Sequence, residues 1–134
     1  MIGSVDIVRY TRNNRPYTTQ TVLEPSWDFL EHELRTMDNF EKPMLWLCLE
    51  AGKTESNTMA INGGNGIYHV QIVDSDFNWV QATNPRGSDA IVPVWTSDQG
   101  FETEAKFTWG LEDTLEMMRW YFEHEKAHPN FAWQ

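Results

Sequence analysis

Residues 57–73 read NTMAINGGNGIYHVQIV. Two runs rich in β-branched and aromatic residues flank NGGNG at 62–66, a segment dense in Asn and Gly. A tight reversal between two strands needs residues that tolerate positive φ, and Asn and Gly do so most readily, so the stretch predicts an antiparallel hairpin. A lone hairpin is marginal in water. The middle of the chain is therefore committed to a sheet, and its neighbours must supply more strands and something to cover them.

They do. MLWLCLEA (44–51) is a near-continuous apolar run and reads as a central strand. FNWVQAT (77–83) is another short one, and NPRGSD (84–89) is a loop. AIVPVWT (90–96) contains Pro93, which lacks the ladder N–H, so it predicts an edge strand or a bulge. FETEAKFTW (101–109) alternates Phe101, Thr103, Ala105 and Phe107 against Glu102, Glu104 and Lys106, a strand with one buried and one charged face. At the other end, SVDIVRYT and YTTQTVL flank NNRP (13–16), a turn signal, so 1–23 predicts an N-terminal β-hairpin.

Two segments carry a helical period instead. Glu24-Pro25-Ser26 opens one, since Pro is tolerated in a first turn and Ser caps it well. Trp27, Leu30, Leu34 and Met37 follow at spacings of three and four, giving a helix over about 25–38. The second runs over about 111–127. At 100° per residue Leu111, Leu115, Met118 and Phe122 share a narrow stripe, with Met117 and Tyr121 widening it. Glu112, Glu116, Arg119, Glu123 and Lys126 take the other face, and Trp120 points away from Leu111 among Asp113, Glu116 and Glu123. The expected fold class is α+β: one two-layer domain spanning 1–134, an antiparallel sheet of about five to seven strands packed by two helices.

Composition bounds the rest. A chain of 134 residues with 40% apolar and 13% aromatic residues can bury a core of its own. The opening MIGSVDIVRY places Asp6 and Arg9 where a secretory leader needs an unbroken apolar stretch, and no apolar run has membrane-spanning length. The single cysteine, Cys48, lies inside an apolar run and reads as a buried, inert thiol. One cysteine permits no internal disulfide, so a cytoplasmic location is expected.

Twenty acidic against ten basic residues leave a net charge of −10. Residues 1–43 contribute seven acids and five bases, a net of −2, and residues 44–134 contribute thirteen and five, a net of −8. Such a surface repels phosphate backbones, so no nucleic-acid partner is expected. It suits a basic protein partner, whose association a complementary field accelerates. Acidity also serves solubility alone.

H-E-K-A-H at 124–128 matches the H-E-x-x-H pattern of zinc peptidases. That chemistry needs both imidazoles on one face of one helix, a third ligand and an open coordination position. His128 precedes Pro129, which disfavours the helical conformation for it. The six residues that follow include no His, Asp or Glu, so a third ligand would have to come from upstream, with His69 and His32 among the candidates. The histidines are read as a helix exit, where the dipole favours cations. No metal, cofactor or catalytic residue is expected. DSDFN (74–78) echoes the start of a calcium loop without its Gly and final Glu. NGGNG lacks the helix and Lys of a phosphate loop.

From about Ser26 to Trp133 the chain resembles the Imm1 family of immunity proteins of bacterial polymorphic toxin systems. The resemblance rests on SWDFLEHEL, MLWLCLEA, INGGNGIYHV, FNWVQATNP, TLEMMRWYFE and the closing HPNFAW. The family often has Gly before the closing Pro, where this chain has Ala127-His128. The resemblance implies a small α+β protein with no enzymatic activity of its own. It would bind and neutralise a cognate toxin, typically a nucleic-acid deaminase, by occluding the toxin's basic active site. Together with the acidity it marks Glu102, Glu104, Asp113, Glu116, Trp120 and Glu123 as candidate toxin-binding residues, with Trp120 the exposed aromatic anchor. Trp27 and Trp46 are expected in the core. A generic acidic ligand- or protein-binding domain and a zinc peptidase are the competing readings.

Overall fold

The structure, a computed structural model, describes residues 1–10, 17–97 and 99–134. Its elements run β1 (Ser4–Tyr10), β2 (Tyr17–Leu23), α1 (Trp27–Arg35), β3 (Met44–Cys48), β4 (Thr58–Gly64), β5 (Ile67–Val73) and β6 (Trp79–Thr83). There follow β7 (Ile91–Trp95), β8 (Phe101–Glu104), a single 3-10 turn (Ala105–Phe107), β9 (Thr108–Trp109), α2 (Leu111–His124) and β10 (Ala132–Trp133). The main sheet is ordered β10-β6-β5-β4-β3-β1-β2, with β9 also pairing to β5, and every pairing in it is antiparallel. β7 and β8 form a separate two-stranded sheet. This is the two-layer α+β arrangement the patterns predict. The strand count exceeds the expected five to seven because β9 and β10 are two-residue pieces and β7–β8 stand apart. No helix among the described residues is long and apolar enough to cross a membrane.

The central hairpin turns on Asn65 and Gly66, with φ of 53° and 88° between the paired residues Gly64 and Ile67. Positive φ at both central residues is the turn whose twist matches a right-handed ribbon. Gly64 has no room for a side chain, since a Cβ there would stand 2.5 Å from the Asp38 backbone. The N-terminal hairpin's strands pair from Ser4↔Leu23 to Tyr10↔Tyr17, while its NNRP turn lies outside the described residues.

Strand alternation assigns the two faces of the main sheet. Val5, Ile7, Leu45, Leu47, Met59, Ile61, Val70 and Ile72 are buried on one face, where they join Leu30 and Leu34 of α1 and Met117, Met118 and Tyr121 of α2. On the other face the β7–β8 hairpin covers one end. Trp95 stacks on Tyr10 at 6.1 Å, and the Phe101 ring stands edge-on over His69 at 5.3 Å. A bulge between Pro93 and Trp95 accommodates the proline.

Several expectations need correction. FETEAKFTW is not one strand. The 3-10 turn breaks it, so β8 pairs with β7 while β9 pairs with β5. Both helices are shorter than predicted. α1 begins at Trp27, because Ser26 is its cap, accepting from the Phe29 amide at 3.1 Å. It ends at Arg35, where the Asp38 carboxylate takes over the backbone amides of Phe40 and Lys42. Trp46 is half-buried on the face opposite the helices, edge-on to the exposed Trp79. Its apolar run had suggested burial on both faces. Asp74 is a turn residue: its carboxylate accepts from the Asp76 and Asn78 amides, and these bonds hold its pKa below the usual carboxylate range. Cys48 is buried, and burial raises its thiol pKa, as expected of an inert thiol.

Candidate functional site

α1 and α2 lie side by side on the sheet, and each turns one polar stripe toward the other. On α1 that stripe is Trp27, Glu31 and Arg35, one turn apart. On α2 it is Glu112, Glu116, Arg119, Trp120 and Glu123. A residue recurring every three or four positions returns to the same side of a helix, so both stripes follow from spacing. Between them runs an open groove of about 640 Å³, also bordered by Asp113, Leu115 and His128.

Both arginines are already engaged. Arg35 donates through Nε and Nη2 to Glu31 Oε2, at 3.0 and 2.9 Å. Arg119 pairs with Glu123 at 3.5 Å, and its guanidinium lies 5.0 Å from the centre of the Trp27 ring. Trp27 in turn packs on Phe122 at 5.8 Å. With Glu31 and Glu123 each facing an arginine, Glu112 and Asp113 in the first turn of α2 and Glu116 one turn on have no Lys or Arg partner among the described residues. The N-terminal dipole of α2 favours Glu112 and Asp113 where they stand.

The far end of the groove is closed by the chain's own return. α2 stops at His124, and Glu125 adopts the left-handed conformation at φ 60°. The segment beyond folds back until β10 pairs with β6. His128 is thereby buried against the Trp120 indole at 4.7 Å, while His124 lies on the same indole at 3.9 Å. The Asn130 amide donates to His128 Nδ1 at 3.1 Å, so in the neutral ring the proton sits on Nε2, which faces Glu116 Oε1 at 3.3 Å. Phe131 packs edge-on to His128 at 5.0 Å, and the Trp133 indole donates to the His128 carbonyl.

Trp120 is therefore not the exposed anchor its helical position suggests. It is half-buried and clad by two imidazoles, and its indole N–H is buried with no hydrogen-bond partner among the described residues. Phe122 is likewise half-buried at the α1 contact rather than central to the core. The fully buried side chains of α2 are Thr114, Met117, Met118 and Tyr121, while Phe122 packs on Trp27 of α1. Four of the six candidate residues, Asp113, Glu116, Trp120 and Glu123, line the groove. Glu102 and Glu104 do not. Glu102 borders a separate, smaller recess with Pro93, Trp95 and Phe101. Glu104 shares Lys106 with Asp89, at 3.1 and 2.8 Å, so this stretch of β8 is partly neutralised. Trp27, Glu31, Glu112 and Arg119 belong to the groove and were not among the six. The helical period puts Glu112 and Arg119 on the polar face of α2, but it groups Trp27 with Leu30 and Leu34 as core, whereas Trp27 is half-buried on the groove with Glu31, and nothing local says that the two stripes face each other.

The H-E-K-A-H geometry departs from a zinc helix. The helix ends between the two histidines, and both rings turn onto Trp120. Among the described residues no group of three or more His, Cys, Asp or Glu is placed to hold a metal ion. His69 sits on the sheet face opposite α2. Its Nε2 donates to Gln81 Oε1 at 2.8 Å, its Nδ1 faces Asn62 Nδ2 at 3.5 Å, and burial lowers its pKa. It is a satisfied neutral histidine inside the fold.

These features define a two-layer α+β protein with an acidic, aromatic-walled groove between its helices. No family model matches the chain, and no curated protein matches it.

Proposed function

We propose that this protein is an immunity protein that binds and neutralises a cognate bacterial toxin in the cytoplasm of the cell that makes both. The partner is a basic protein domain, a nucleic-acid deaminase in this reading, and the inhibitor contributes no chemistry of its own. A deaminase acting on DNA or RNA must offer a basic groove to phosphates. A protein of net charge −10 can fill that groove and shut the substrate out. The observation that carries the reading is the α1–α2 groove, where Glu112, Asp113 and Glu116 stand beside two indoles and have no Lys or Arg partner among the described residues. Charge sets the rate of encounter, and the aromatic wall retains the partner once docked.

The test is co-expression with the protein encoded by the adjacent gene. Under this reading the two co-purify in equal amounts, and cells carrying both survive expression that kills cells carrying the neighbour alone. A neighbour that is harmless, or that neither binds nor is neutralised, overturns it.

A further inference from the structure

We propose that two copies of this chain pair through β2, edge to edge, into a symmetric dimer with one continuous sheet. The inference is independent of the toxin-binding reading, since it rests on another part of the molecule.

β2 ends the main sheet and, among the described residues, pairs only with β1. Natural edge strands are blunted by charge, proline, bulges or shortness. β2 has none of these. It is seven residues of YTTQTVL, uncharged and in unbroken register with β1, and every residue except Val22 is exposed.

The Leu49 amide donates to Asn57, toward β4, so Met44, Trp46 and Cys48 turn their backbone groups toward β1. Ser4, Asp6 and Val8 answer them, which leaves Val5, Ile7 and Arg9 to bond Val22, Gln20 and Thr18. The Glu24 amide donating to the Gly3 carbonyl fits this phase. Antiparallel ladders alternate strictly, so Tyr17, Thr19, Thr21 and Leu23 point their N–H and C=O groups outward.

A second β2 laid antiparallel about a two-fold axis at Gln20 places Tyr17 opposite the partner's Leu23 and Thr19 opposite the partner's Thr21. These are the residues whose backbone groups face out on both strands, so the ladder closes over the whole strand. The side chains agree. Tyr17 and Leu23 are 60% and 66% exposed, and they lie on the same sheet face. Pairing sets the aromatic of each copy against the leucine of the other, with threonine facing threonine between them. A self-complementary patch of this kind is what a two-fold interface requires. Because β2 is uncharged, the copies' mutual repulsion comes from charges outside the strand, and physiological salt screens it over about 8 Å.

The test is solution mass by light scattering or sedimentation. The wild-type chain is expected at twice its 15.7 kDa mass. Thr19→Pro removes an outward N–H without touching the β1 ladder, and should return the mass of one chain with an unchanged circular-dichroism spectrum. The register has its own test. T19K/T21K sets lysines opposite lysines and T19E/T21E sets glutamates opposite glutamates, so each is expected alone as a monomer. Mixed, they should form a one-to-one heterodimer. A monomeric wild type, a dimer indifferent to Thr19→Pro, or charge variants that do not recombine each overturns the proposal. If the wild type is monomeric, yet β2 gains protection from amide exchange when the toxin is added, the edge takes a partner's strand instead.

Discussion

The groove's α1 wall is held by a buried ion pair, and that pair yields a quantitative prediction. Lys42 Nζ donates to Glu33 Oε2 at 3.2 Å, with side-chain exposures of 7% and 8%. The Thr36 hydroxyl also meets Lys42, and Arg9 reaches Glu33 from β1 at 3.4 Å. Glu33 lies on α1 between Glu31 and Arg35, so the pair sets how that helix seats on the sheet. At an effective dielectric of about 20, unit charges separated by 3.2 Å attract by about 5 kcal/mol. Yet the Lys42 pKa is lowered, with desolvation by burial the largest cause and the attraction of Glu33 smaller. For the Lys42 ammonium, leaving water therefore costs more than its partners return. Lys42→Met should destabilise the protein by about 3 kcal/mol, because Glu33 is left buried with only the half-exposed Arg9. Glu33→Leu should cost a similar amount by stranding the ammonium. The double variant should be at least as stable as either single, giving a coupling energy of about 3 kcal/mol or more. Urea unfolding of the four proteins measures this. At slopes of about 1–3 kcal/mol/M, each single should lower the midpoint by about 1–3 M. Additive losses, or a Lys42→Met midpoint equal to wild type, would refute the claim that burial dominates this pair.

Three further outcomes follow from the same structure. His69 is held neutral with its pKa below 6.5, so the unfolded chain binds its proton first; stability should be full above about pH 6.5, fall as pH drops from there to the folded pKa, and lose that slope in His69→Gln. In α2, Met118→Ala should cost about 2–5 kcal/mol and Phe122→Ala less, because Met118 is fully buried and Phe122 half-exposed; the reverse order in thermal or urea unfolding would mean α2 is seated differently. Against a toxin partner, Glu116→Lys and Glu123→Lys should slow association, with the loss shrinking near 1 M salt, where the Debye length is about 3 Å. Trp120→Ala should instead speed dissociation by about 2 kcal/mol. Stopped-flow rates at two salt concentrations separate these effects, and salt-independent association with normal Trp120→Ala binding would move the contact off the groove.

What was readable from the chain is what local rules govern. Alternation and β-branching placed β1 to β6, Asn65-Gly66 turned the central hairpin, Ser26 capped α1, and the 3.6-residue period put Glu112, Glu116, Trp120 and Glu123 on one stripe. The acidic excess after Pro43 needed only counting. What was not readable depends on which distant surfaces meet. FETEAKFTW alternates well enough for one strand, but β7 and β5 each claim part of it, and the 3-10 turn is the break between them. Trp120 stands on a polar stripe by its period and is half-buried in fact, because a chain reversal at Glu125 brings His128 back over it. Glu104 looked like free charge until Lys106, two residues on, and Asp89 from the preceding loop closed around each other. The groove itself has no sequence signature. Each helix carries half of it, and only the shared seat on one sheet face brings Trp27, Glu31 and Arg35 opposite Glu116 and Arg119. Backbone sterics and side-chain period act within a few residues, so sequence determines which face each element buries. The pairing of elements far apart in the chain is settled by burying all those faces at once, and only the folded chain holds that answer.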